Sequence, residues 1–129
     1  MGAVKPSNLL FSRDMRIKQG RDFVRIRERG QRLALGCLVA NWQPRPEGPV
    51  SRLGVITSRK IGGAVVRNRA RRLMREAFRL HQHDLAGTVD LVLVARASIA
   101  GKGLAEVEKD FLTTLRKAKL LREGGTAKP

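Results

Sequence analysis

The chain of 129 residues has no tyrosine, one tryptophan (Trp42) and four phenylalanines. Open single-strand binders stack bases on several aromatic platforms, so stacking cannot be the main grip of this protein. The aromatic consensus of the RNA-recognition motif and the GxxG loop of the KH fold are both missing. A single cysteine, Cys37, excludes an intrachain disulfide and a CxxC zinc site and points to a reduced, cytoplasmic setting. No apolar run approaches the ~18–20 residues of a membrane span, and no apolar stretch near the N-terminus ends in a small-residue cleavage site, so neither membrane insertion nor secretion is expected. An N-terminus bearing Arg and Ser is also compatible with a mitochondrial transit peptide; Asp14 argues against it. Acids are scarce: 11 Asp and Glu, none in a motif that would set two metal ions ~3.5–4 Å apart. No metal site and no catalytic residue is therefore assigned to the protein. His81, Gln82, His83 and Asp84 form the nearest thing to a ligand run, but alternate residues at a helix end point apart. No Ser/His/Asp grouping and no phosphate-cradling glycine loop is present.

What the chain has is positive charge. Against 11 acids stand 27 Lys and Arg, a formal net charge of +16. That is well beyond the ~2–8 that keeps a small domain soluble, and the usual partner of such a chain is nucleic acid. A membrane surface, the other polyanion, would call for an amphipathic helix tipped with Trp and Leu. With few aromatics, contacts to backbone phosphates should dominate. The length fits one domain, 1–129, that buries roughly 65% of its unfolded surface. Its ordered core is expected over about 14–121, between flexible tails at 1–13 and 122–129.

Periodicity places the elements. Residues 20–30 form a short helix, with Asp22 in the first turn, Phe23 and Ile26 on one face and Gly30 as a left-handed stop. Residues 33–42 form one strand; alternation puts Leu33, Leu35, Cys37, Val39 and Asn41 on one face and Leu38, Ala40 and Trp42 on the other. Cys37 is then a small core residue. After a Pro/Gly turn, 52–58 is a second strand. Residues 64–81 form a long helix after the Gly62-Gly63 break, and 88–95, apolar at consecutive positions, form a central strand. A last helix over 104–121 buries Leu104, Val107, Phe111, Leu115 and Ala118. The order predicts an α+β sandwich of two layers, helices over one sheet.

The segment from Arg59 to Arg79 holds most of the information. On a wheel of 100° per residue, Val66, Ala70, Leu73, Ala77 and Leu80 form one stripe, and Arg67, Arg71, Arg75 and Arg79 follow an i, i+4 ridge on the far side. Like charges at that spacing weaken an isolated helix, and Glu76 is the only acid among them. The ridge makes physical sense if phosphates screen it; otherwise it is a solvated basic face.

The same segment resembles the protein subunit of bacterial ribonuclease P. The pattern comprises Lys60, Gly62, Ala64-Val65, Arg67-Asn68-Arg69, Arg71-Arg72, Leu73-Met74, Arg75-Glu76 and Phe78-Arg79. Asp22-Phe23, Gly30, Leu53-Gly54-Val55 and the strand from Asp90 to Arg96 extend the likeness over about residues 14–120. The resemblance implies a two-layer sandwich like domain 2 of a small-subunit ribosomal protein, with a left-handed βαβ crossover carrying the basic helix. Physics alone favours the right-handed hand. It implies a ribonucleoprotein that removes the 5′ leader of precursor tRNA. Its RNA subunit cuts with Mg²⁺ held mainly by RNA and substrate, and there is one protein per ribonuclease P RNA. It further implies that Arg59, Lys60, Arg67, Asn68, Arg69, Arg71, Arg72 and Arg75 bind the RNA subunit, and that Phe23, Arg27, Val39 and Asn41 line a leader cleft. Two positions depart from the family pattern: Arg27 and Asn41 stand where aromatics are common, so charge more than stacking would hold the leader. For Phe23 both plain core packing and leader contact remain open. A structural ribosomal or RNA-assembly protein is the alternative from another class.

Overall fold

The computed structural model describes residues 10–45, 48 and 50–122. The tail at 123–129 and residues 1–9 lie outside that description. Helix α1 (Gly20–Arg29) is followed by strands β1 (Gln31–Leu35), β2 (Leu38–Pro44) and β3 (Arg52–Ile56), helix α2 (Ala64–His81), strand β4 (Val89–Ala95) and helix α3 (Leu104–Lys117). The sheet order is β1-β2-β4-β3. β2 runs antiparallel to β1 and β4, and β3 is parallel to β4, so α2 is the crossover of a βαβ unit.

β4 sits in the middle, as its apolar run from Leu91 to Ala95 requires, and alternate residues serve two cores. Leu91, Leu93 and Ala95 join Leu38, Ala40, Trp42 and Leu53 under α2 and α3. Val92 faces the other way and packs with Ile17 and Ile26, backed by Phe23, Ile56 and Val94. Helix α1 therefore lies on the opposite face of the sheet from α2 and α3. The expected two layers become three, the third being only ten residues of helix. A helix so short is marginal by itself; burial of Ile26 against β4 holds it in place.

Three sequence expectations change. The strand expected over 33–42 is a hairpin: Gly36 takes φ +60°, and the chain reverses over Gly36 and Cys37. The reversal shifts the phase, so Leu33 pairs with Ala40 and shares its face, not that of Val39. Cys37 is fully buried at the turn, where its backbone N–H donates to Asp110 Oδ2 (3.0 Å). Burial first, then Asp110, push its thiol up to about 12. Gly30 ends α1 with φ −85°, not a left-handed conformation. Glycine is needed there for space: a Cβ would lie 2.5 Å from the Ile26 carbonyl oxygen and closer still to that of Trp42. Helix α3 stops at Lys117 rather than 121, because Lys119 turns left-handed (φ 62°) and Leu120 N–H returns to the Leu115 carbonyl. Packing also starts earlier than residue 14. Phe11 meets Phe78 edge-on at 5.8 Å, and Gln82 donates to the Leu10 carbonyl.

Candidate nucleic-acid interface

Helix α2 occupies the expected residues but is turned about its axis. Its buried side chains are Ala70, Met74, Ala77 and Phe78; Val66 and Leu73 pack only at the edge of that core. The inward face thus rotates towards the arginine ridge, which lies on the flank and not on the far side. Arg67 Nη1 donates to the Gly62 carbonyl (3.0 Å), and Arg71 Nη1 to Thr57 Oγ1 (2.5 Å), with a second contact from Arg71 to Asn68 Oδ1. Arg75 is half-buried. The residues facing outward are Asn68, Arg69 and Arg72, with Val65 80% exposed beside them. Arg59 and Lys60 are exposed on a short 3-10 turn (Arg59–Ile61) pinned by buried Ile61. Gly62 allows the kink into the helix at φ 146°.

The flank forms one wall of a groove of about 460 Å³. Arg71, Arg72, Arg75 and Arg79 line it, and Arg16 faces them from the other side. Nothing in the sequence spacing connects residue 16 with this helix. Arg16 is brought there because its backbone bridges to Leu53 of β3, and its guanidinium lies 4.9 Å from the centre of the Phe11 ring.

On the other face of the sheet, Phe23, Arg27 and Asn41 line a second groove of about 370 Å³, together with Val24, Glu28 and Arg32. Register explains the convergence: Arg32, Asn41, Val92 and Gly54 form one row across the four strands. Val39 is not in the groove wall; it sits in the next row with Val94 and Ile56. The Phe23 ring lies over Gly54, where a Cβ would come 2.5 Å from Cε1. Phe23 is half-buried, so it serves core and groove at once. Gly54→Ala is expected to swing the ring outward at a stability cost of about 1–3 kcal/mol. A thermal melt measures the cost, and the change in Phe23 ring shifts by NMR reports the swing. An unmoved ring would show that Gly54 is not what seats it.

The next row beyond Phe23 is ionic, and sequence reasoning missed it. Asp90 is buried in β4, and Arg52 grips it with two bonds of 2.8 Å while Arg25 of α1 adds a third (3.1 Å). Arg45 stands 3.6 Å away, Asp22 accepts from Arg25, and Gln43 Oε1 accepts from Arg25 Nη1. Burial alone would raise the Asp90 carboxyl; the hydrogen bonds from Arg52 and Arg25 and the nearby charges outweigh it and hold the carboxyl below its ordinary value. This cluster ties α1 to the sheet beside the groove. An acid inside an apolar strand run was the available signal.

Among the described residues no three His, Cys, Asp or Glu side chains are placed to hold a metal ion. His81 sits between two carboxylates, Asp84 at Nδ1 (2.9 Å) and Glu108 at Nε2 (2.6 Å), which face opposite edges of the ring. No helix among the described residues is long and apolar enough to cross a membrane.

The α+β fold thus carries an arginine-lined crossover helix on one face of its sheet and a separate groove with Arg27 and Arg32 on the other. A family model described as Ribonuclease P matches residues 11–119. The ribonuclease P protein component of Geobacillus kaustophilus is 38% identical over 110 residues, covering 85% of this chain and 91% of that protein. That of Desulfatibacillum aliphaticivorans is 40% identical over 86 residues, covering 67% and 72%. The Staphylococcus aureus RNase P protein superposes with a TM-score of 0.76 at 30% identity, over 84% of this chain and 98% of that one. The Thermotoga maritima protein does so with 0.71 at 27%, over 79% and 96%. The chain belongs to the bacterial ribonuclease P protein family.

Proposed function

We propose that this chain is the protein subunit of a ribonuclease P ribonucleoprotein and holds two RNAs at once. Helix α2 and the turn before it, through Arg59, Lys60, Arg67, Asn68, Arg69, Arg71, Arg72 and Arg75, dock on ribonuclease P RNA. The groove of Phe23, Arg27 and Asn41, with Val39 alongside, holds the single-stranded 5′ leader of precursor tRNA. The observation that supports this is topological: the two basic surfaces lie on opposite faces of one sheet, α2 on one and the α1 groove on the other. Neither RNA has to leave for the other to bind.

Hydrolysis in this proposal is the work of the RNA subunit, with Mg²⁺ held by RNA and substrate, and yields tRNA with a 5′-phosphate. The protein supplies no acid, base or metal ligand; it supplies charge and position. The left-handed crossover and the likeness to a ribosomal-protein domain belong to the same reading, as do a single RNA-binding domain, one protein per RNA and action in the cytoplasm.

The test is leader length. A base stacked on an aromatic is worth about 1–3 kcal/mol, so Phe23→Ala should weaken holoenzyme binding of a long-leader precursor about fivefold to a hundredfold. A precursor with a single leader nucleotide should be little affected. Equal losses on both would reduce Phe23 to a core residue and remove the leader from this groove.

A further inference from the structure

We propose that the groove between residues 11–16 and the flank of α2 is a second phosphate-binding site, so that folded RNA grips α2 from two sides. The inference rests on the docking of α2 on ribonuclease P RNA and adds to it Arg79, which the sequence placed on the ridge without a role, and Arg16 and Phe11, which the sequence pattern did not single out.

Charge is the first argument. Five guanidinium groups, those of Arg16, Arg71, Arg72, Arg75 and Arg79, line the groove with one carboxylate, Glu76. Glu76 is engaged by Arg79 through two bonds of 2.6 and 3.0 Å. Among the described residues, no acid stands opposite the remaining cations within the groove. Arg75 shows the strain of this arrangement: burial first, then the charges of Arg16 and Arg71, push its guanidinium below its ordinary value. A phosphate among them would reverse that repulsion.

Preorganisation is the second argument. Arg16 is exposed, yet it is not loosely placed. Its backbone pairs with Leu53, and Ile17 N–H donates to the Leu53 carbonyl (3.0 Å). Its guanidinium rests against the Phe11 ring, a contact that holds the fork in place, and Phe11 in turn abuts buried Phe78 of α2. The segment before α1 therefore serves as a fixed wall carrying a cation.

Separation from the outward face is the third. Arg69 projects to solvent, while Arg71 and Arg75 turn into the groove; Asn68 and Arg72 are exposed and border both. An α-helix with its side chains is ~10–12 Å across, and the deep, narrow major groove of an A-form duplex does not admit side chains. The occupant is therefore backbone that passes α2 on both flanks, which a folded RNA offers.

The test measures binding of the full chain to ribonuclease P RNA as a function of salt. Arg16→Ala should raise Kd about tenfold and flatten the slope of log K against log salt by about one, with an unchanged melting temperature. Arg16→Lys should keep the slope and recover part of the affinity, because it keeps the charge and loses the fork. Lys109→Ala, which removes an exposed charge from α3, should leave the slope nearly as it was. If Arg69→Ala flattens the slope and Arg16→Ala does not, the groove takes no phosphate, and this inference falls while the docking of α2 stands. If Lys109→Ala matches Arg16→Ala, the effect is net charge alone and the site is likewise refuted. If neither Arg69→Ala nor Arg16→Ala changes the slope, the docking of α2 itself falls.

Discussion

Asp90→Ala is expected to lower the free energy of unfolding by about 3 kcal/mol. Breaking a buried ion pair costs about 3–5 kcal/mol, and the lower end applies because Arg25 and Arg52 are partly wetted and can rehydrate. Asp90 itself is 3% exposed and bonded by both arginines, so its removal leaves them facing each other across an apolar strand. Denaturant titration at constant m reads the loss; a change below about 0.5 kcal/mol, the usual scatter of surface substitutions, would contradict it. The pH dependence has a definite sign. The folded carboxyl is held below its ordinary value of 3.8. Its contribution is complete above that unfolded value and is lost as pH falls through the depressed folded value. Wild-type stability should therefore drop on acidification below about pH 4, and Asp90→Asn should remove part of that acid limb. The variant should also loosen α1, since it weakens the tie of Arg25 to the sheet and leaves Asp22–Arg52 (3.8 Å) as the other ionic link.

Arg69→Ala and Arg72→Ala have the largest expected effect on RNA. Both side chains are exposed on α2, and a hydrogen bond to a charged group is worth about 1.5–3 kcal/mol. Each substitution should weaken binding to ribonuclease P RNA about tenfold or more and flatten the salt slope by about one. Neither touches the core, so the melting temperature should stay within a few degrees. An unchanged slope would take that arginine out of the interface. The pair should add nearly independently only if each meets its own phosphate.

Much of this was legible in the sequence. Helix α2 begins and ends where its spacing predicts, because glycines precede it and its apolar period is strong over 18 residues. Strand β4 was legible because an apolar run such as Leu91 to Ala95 is satisfied by partners on both faces. Of the four residues that the resemblance places in a leader cleft, Phe23, Arg27 and Asn41 line one groove and Val39 does not. What was lost has physical causes. Gly36 looks like any small residue in an alternating strand until its positive φ reverses the chain. The wheel placed the arginine ridge opposite the core because it took Val66, Leu73 and Leu80 as the centre of the stripe, whereas Met74 and Phe78 bury deeper. Arg16 and the Asp90 cluster depend on contacts between segments tens of residues apart, which no local period records.

The most direct measurement is reconstitution. The full chain, a bacterial ribonuclease P RNA and a 5′-labelled precursor tRNA are combined at Mg²⁺ too low for the RNA alone, beside reactions lacking either macromolecule. Leader release only when both are present is the predicted result, and it places the chemistry on RNA and the assistance on this chain. Tight RNA binding without cleavage would contradict the account and make the protein a structural binder; cleavage by the protein alone would contradict it from the other side.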